Sequence, residues 1–188
     1  MEKEYLDKFQ DRLEQELLRL CTSYGMLNGA LLTAEDIDNR WREIFPEYVA
    51  DAVEQVQDYP IVSVAWAAYL GMGIACGWDA DWSVYSKAPY TSFYGEAGFD
   101  DMDEHIVQKL LGLSLDEPEA KDLEEMIRRC AQTTVTLIRR EQIEPGSVRA
   151  FNVFVRACEA MFRIGESLEL KRMGYKLEKV SLSENLPS

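Results

Sequence analysis

Catalytic or metal chemistry has few starting points in this chain: a single histidine, His105, and four cysteines among 188 residues. His105 follows Asp101, Asp103 and Glu104 on a short acidic stretch. Zinc sites need several His or Cys ligands and di-iron bundles need two Glu-x-x-His units, so one histidine builds neither. Asp101 lies four residues before it, so its expected role is a surface pair. Cys21, Cys76, Cys130 and Cys158 form no CxxC pair, and each lies in an apolar helical stretch where a free thiol behaves as a small hydrophobe. Neither a metal site nor a disulfide framework is expected, and free thiols suit a reducing, cytoplasmic setting. There is no GxSxG, P-loop or GxGxxG; Gly71, Gly73 and Gly77 fall inside a helix, not after a strand. No cofactor is implied, and an enzymatic role is the less favoured class.

Two other patterns are suited to holding a ligand or a partner. Seven of the chain's 20 aromatic residues fall between Trp78 and Phe99. Aromatic side chains with polar tips supply contact area at low entropic cost. Trp78, Trp82, Tyr90 and Tyr94, with Asp79 and Asp81, are therefore candidate binding residues, although the same rings would also seal a long connection against the core. The second pattern is a polar seam on the last helix. Arg149, Asn152, Arg156, Glu159, Arg163 and Glu166 fall within an arc of roughly 100° and extend about 26 Å. The seam is either a solvent-facing edge laced by Glu159 and Arg163, or it lines an internal groove. In the second case Arg156, Glu159 and Arg163 would meet an anionic ligand or acids elsewhere, Asp79 and Asp81 being candidates.

The elements that position these residues have a helical period almost throughout. Leu6, Phe9, Leu13, Leu17, Leu20 and Tyr24 step by three and four, predicting an amphipathic helix that ends near Gly25. Thr33 reads as the N-cap of a second helix, with Asp36 at its third position, and Pro46 predicts a break or kink within it. Pro60 to Trp78 carries no charge over 19 residues. That approaches a membrane-spanning length, but its Ala and Gly content and flanking aspartates favour a buried helix, with Gly73 and Gly77 admitting a neighbouring helix. A short helix to Leu111, another from Pro118 through Ile138, and a last one from about Val148 to Met173 complete the set. The fold class is all-α, a single-domain bundle of six or seven helices over residues 1–175 with two buried central helices, followed by a flexible tail over 176–188.

Charge narrows the partners. The net charge is −14, and it is uneven: residues 1–58 and 59–120 each sum to −8, whereas residues 121–188 sum to +2. An acidic surface repels nucleic acid and anionic lipid. The expectation is a non-catalytic binding or protein-interaction protein whose acidic surface meets a basic protein partner. The alternative is a helical small-molecule-binding protein or enzyme with a pocket between residues 78–99 and the last helix. Self-association into a homo-oligomer is compatible with either.

Overall fold

The structure is a computed structural model and describes residues 1–176 and 178–182. Six helices carry the fold: α1 (Glu2–Ser23), α2 (Glu35–Val53), α3 (Pro60–Tyr85), α4 (Met102–His105), α5 (Pro118–Arg140) and α6 (Val148–Arg172). Short 3-10 turns at Tyr90–Phe93 and Phe99–Asp101 precede α4, which continues as a π-helical turn over Ile106–Leu110. Among the described residues there are no strands, only isolated bridges at Thr33–Lys179 and Gly95–Gly98. The all-α bundle with two central helices is thus observed.

The central pair is α3 and α6, the most extensively packed helices in the molecule. Each is apolar nearly all round, as a helix surrounded by others must be. They cross at contact between backbones. A Cβ added at Gly165 would lie 1.8 Å from the Ala68 carbonyl oxygen, and one at Gly71 would lie 2.2 Å from that of Phe162. The close approach is therefore at Gly71, not at Gly73 and Gly77. Gly73 faces the side chains of Leu110, Ile106 and Phe93, while Gly77 faces Tyr85 of its own helix. Most of the apolar window of α3 that has the length and hydropathy of a membrane span is buried inside this packing.

Around that pair, α1 buries the expected stripe of Leu6, Phe9, Leu13 and Leu17. Prolines open α3 and α5 at positions where the missing amide costs nothing. Ser147 caps α6 by accepting the Ala150 amide (3.1 Å). Three local readings are corrected. Helix α2 runs unbroken through Pro46, because Ile37, Trp41, Ile44 and Tyr48 are buried on both sides of the proline and hold it to the core. Its N-cap is Ala34, not Thr33, which instead pairs with the segment after α6: its amide donates to Glu178 and its carbonyl accepts from Val180. Helix α3 continues past Trp78 to Tyr85 with one extended residue, Asp81, whose carboxylate accepts from Ser83 (2.6 Å) and restarts the turn. Of the expected tail, Lys176 and residues 178–182 are described, and Val180 is buried; residues 177 and 183–188 lie outside the described residues.

Candidate functional site

The aromatic strip is divided by the break at Asp81. Before it, Trp78 is buried against Tyr175, with ring centroids 5.5 Å apart, and Asp79 accepts the Tyr175 hydroxyl (2.7 Å). After it, Trp82 and Tyr85 turn back over the glycines of α3. Together with Phe93 and Leu110 they line a small, mostly apolar cavity of about 230 Å³ whose floor is Gly73 and Gly77. Cys76 borders this cavity and donates its thiol to the Leu110 carbonyl (3.2 Å); burial pushes that thiol up to about 11. Tyr90 and Tyr94 lie elsewhere, edge to face, and both donate to Asp51 Oδ2 at 2.8 and 2.5 Å. Burial and the Asp51 carboxylate push the Tyr94 phenol up to about 12 and that of Tyr90 higher still. Two hydroxyls converging on one carboxylate anchor the 90–94 turn to α2. The strip is thus three separate arrangements rather than one surface.

The seam of α6 faces α1. Arg149 makes a two-point pair with Glu2 (3.1 and 2.8 Å), Arg156 reaches Asp7 (2.8 Å) and Gln10 (3.0 Å), and Arg163 reaches both oxygens of Glu14 (3.0 and 3.1 Å). The numbering rises together on both helices, so α1 and α6 run parallel. Parallel helices place like dipole ends side by side, and this ladder of opposite charges offsets that repulsion. The arginines therefore meet acids elsewhere, on α1 rather than at Asp79 or Asp81. Glu159 is half-buried on the same face. The cavity lined by Trp82 contains no residue of α6, so strip and seam are not brought together there.

The last member of the seam departs from it. Glu166 is completely buried; its Oε1 accepts the Ala34 amide (3.3 Å), and the carboxyl bonds to that of Asp38 on α2. Asp38 Oδ1 and Glu166 Oε2 meet no N–H or O–H of any other described residue, so one proton shared between them must satisfy both. Burial, and then the neighbouring Asp38, hold Glu166 well above the usual carboxylate range and favour its protonated form. Burial also raises Asp38, and the proton from Glu166 and the charges of Arg163 and Arg42 offset only part of that rise.

Over Asp38 opens a cavity of about 620 Å³, lined by the start of α2, by Trp78 and by residues 179–182. The sequence offered a hint only for Glu166, a charge set among Ile164, Gly165, Ser167 and Leu168. Nothing linked it to Asp38, 128 positions earlier. The basic last third contributes to a different groove of about 500 Å³ between α1 and α5, but there Arg12 is already paired with Glu141 and Arg129 with Glu125. His105 has no part in these arrangements, and Asp101 accepts the Ala97 amide instead of pairing with it. No group of three or more His, Cys, Asp or Glu side chains suited to a metal occurs among the described residues. No family model, no curated protein and no solved structure matches this chain.

Proposed function

We propose that the chain is a non-catalytic interaction protein, cytoplasmic in setting, that presents an acidic and partly apolar face to a basic protein partner. The observation that carries this reading is the end of α2 and the turn after it. Val53, Val56 and Tyr59 are exposed there, Tyr59 to 62%, and Glu54 and Asp58 are exposed between them. Glu47 extends the acidic character one to two turns back along α2. No Lys or Arg occurs between Arg42 and Lys87, so nothing in that stretch of sequence neutralises the patch. An aromatic and aliphatic centre rimmed by charge is the anatomy of a specific interface, and the acids would speed and orient the encounter with a basic surface. The alternative, a pocket between residues 78–99 and α6, has less support, because the cavity at Trp82 and the seam are separate.

The test is capture on the immobilised full chain and on two variants of equal net charge. Glu47→Lys with Glu54→Lys and Asp58→Lys reverses the patch; Glu117→Lys with Asp122→Lys and Glu124→Lys reverses an equal charge on and beside α5. A partner lost with the first variant, retained with the second, weakened by Tyr59→Ala and released by salt supports the reading. Equal loss with both variants means non-specific charge attraction and refutes it.

A further inference from the structure

One polar group that protein interiors normally satisfy is left open beside the cavity at the start of α2, and a coupled pair of carboxyl groups lies next to it. Trp78 lines it, is 1% exposed, and its indole N–H has no acceptor among the described residues. Asp38 lines it too, and Glu166 behind is fully buried, their inward oxygens having only each other. An orphaned indole donor calls for an acceptor. A carboxylate fixed in place by a protonated neighbour calls for a donor, preferably a charged one. The charged wall is of both signs: Glu35, Asp36 and Asp38 against Arg42 and Lys179. Behind it, α6 supplies Arg163, itself paired with Glu14 of α1. The first turn of α2 adds amides with no side-chain cap. A volume of about 620 Å³ lies within the range of small-molecule sites.

We infer that this cavity is a binding site for a small zwitterion of the free amino-acid class, its ammonium on Asp38 and its carboxylate on the indole N–H of Trp78. A simple cation would leave the tryptophan donor open, and a simple anion would face the acceptor oxygens of Asp38. A molecule carrying both ends satisfies both and adds no net charge to a wall of mixed sign. Ala34, Val180 and Leu182 supply the apolar part of the wall for its side chain. Glu166 is a positioning residue: its proton holds Asp38 in one orientation. This assignment does not rest on the acidic face at the end of α2, and either can fail without the other.

The test begins with the unaltered full chain and needs no variant. Thermal shift and titration calorimetry are run with the set of free amino acids, with their N-acetyl derivatives and with their amides, at millimolar concentrations. At least one free amino acid should bind, with its N-acetyl and amide forms each weaker by about tenfold or more. Trp78→Phe should abolish the preference for acid over amide and leave the preference for the free ammonium. Asp38→Asn should do the reverse. Glu166→Gln, which still donates a hydrogen bond to Asp38, should retain binding, and Glu166→Leu should lose it. Absence of binding by every free amino acid overturns the assignment, as does equal binding of the blocked derivatives. If Trp78→Phe does not fold, the ratios measured on the unaltered chain and on Asp38→Asn decide the matter alone.

Discussion

Substituting Gly165 by alanine adds one methyl group where α3 and α6 touch through their backbones. The new Cβ would lie 1.8 Å from the Ala68 oxygen, 2.6 Å from its carbonyl carbon and 2.8 Å from its Cα. None of these is a side chain that can swing away. The helices must separate until the shortest distance reaches about 3.4 Å, where ordinary contact begins. A gap of that order along the crossing forfeits a large part of the dispersion between facing atoms. Overpacking in a core costs about 1–3 kcal/mol, and a contact with rigid backbone belongs at the upper end. Alanine's better helix propensity returns about 1 kcal/mol. The net loss should be about 2 kcal/mol or more, or roughly 1 M in urea midpoint at an unchanged slope. Gly73→Ala is the matched control: its Cβ meets only side-chain atoms at 3.2–3.4 Å, so the change should stay within about 1 kcal/mol of zero. Urea unfolding followed by far-ultraviolet circular dichroism measures both. Gly71→Ala with Gly165→Ala should cost less than the sum of the two, because helices already separated admit the second methyl more easily. A Gly165→Ala midpoint at or above the parent, or equal losses at positions 73 and 165, would refute the backbone crossing.

Stability should also respond to the buried carboxyl of Glu166. Its folded-state pKa lies above the unfolded value, so its contribution is full below the ordinary carboxylate value and declines as pH rises towards the folded value, by at most about 1.4 kcal/mol per pH unit. Glu166→Gln should flatten that alkaline decline in urea titrations between pH 5 and 8, and an identical pH slope in the variant contradicts the shared proton. Glu14→Ala strands the half-buried Arg163 and should cost about 1–3 kcal/mol, whereas Lys3→Ala, which breaks an exposed pair, should cost less than about 0.5 kcal/mol in the same assay. Burial raises the thiols of Cys76 and Cys158, and the contact with Cys21 followed by burial raises that of Cys130, so iodoacetamide near pH 8 should leave them unmodified in the native protein, while the unfolded chain takes four labels by intact mass. Fast native labelling of Cys158 would mean that α6 is not packed as described.

Local regularity made the fold readable, and distance along the chain hid the site. The stripe Leu6, Phe9, Leu13, Leu17 needs only a helical period to be recognised, and it is buried as that period implies. The uncharged run after Pro60 likewise announces a helix enclosed by others. Pro46 and Thr33 misled because propensity is a weak prior: tertiary packing carries α2 through the proline, and pairing with residues 178–180 takes Thr33 from the cap. The seam is visible on α6, but its acids lie on α1 and not at the candidates Asp79 and Asp81, and Arg156 and Arg163 share the spacing of Asp7 and Glu14. Matching those two intervals would have found α1. Asp38 and Glu166 could not be matched in this way, since each is a single acid on its own helix. Their meeting depends on the crossing of α3 and α6 and on how α2 lies across α6, which no short stretch of sequence encodes. The cavity at residues 179–182 depends in turn on a segment whose weak periodicity gave no sign of docking.

The parallel ladder between α1 and α6 has a consequence for the order of synthesis. Its rungs join residues 147 and 149 positions apart, so α1 emerges long before the helix that clamps it has been made. At about 5–20 residues per second the wait is roughly 7–30 s, far longer than a helix needs to form or a small chain to collapse. Throughout that interval Leu6, Phe9, Leu13 and Leu17 have no α6 against which to close, and the acids beside them have no arginines to meet. Until α6 clears the ribosome, the nascent chain carries α1 without the helix that clamps it, its apolar stripe open to chaperones and to aggregation.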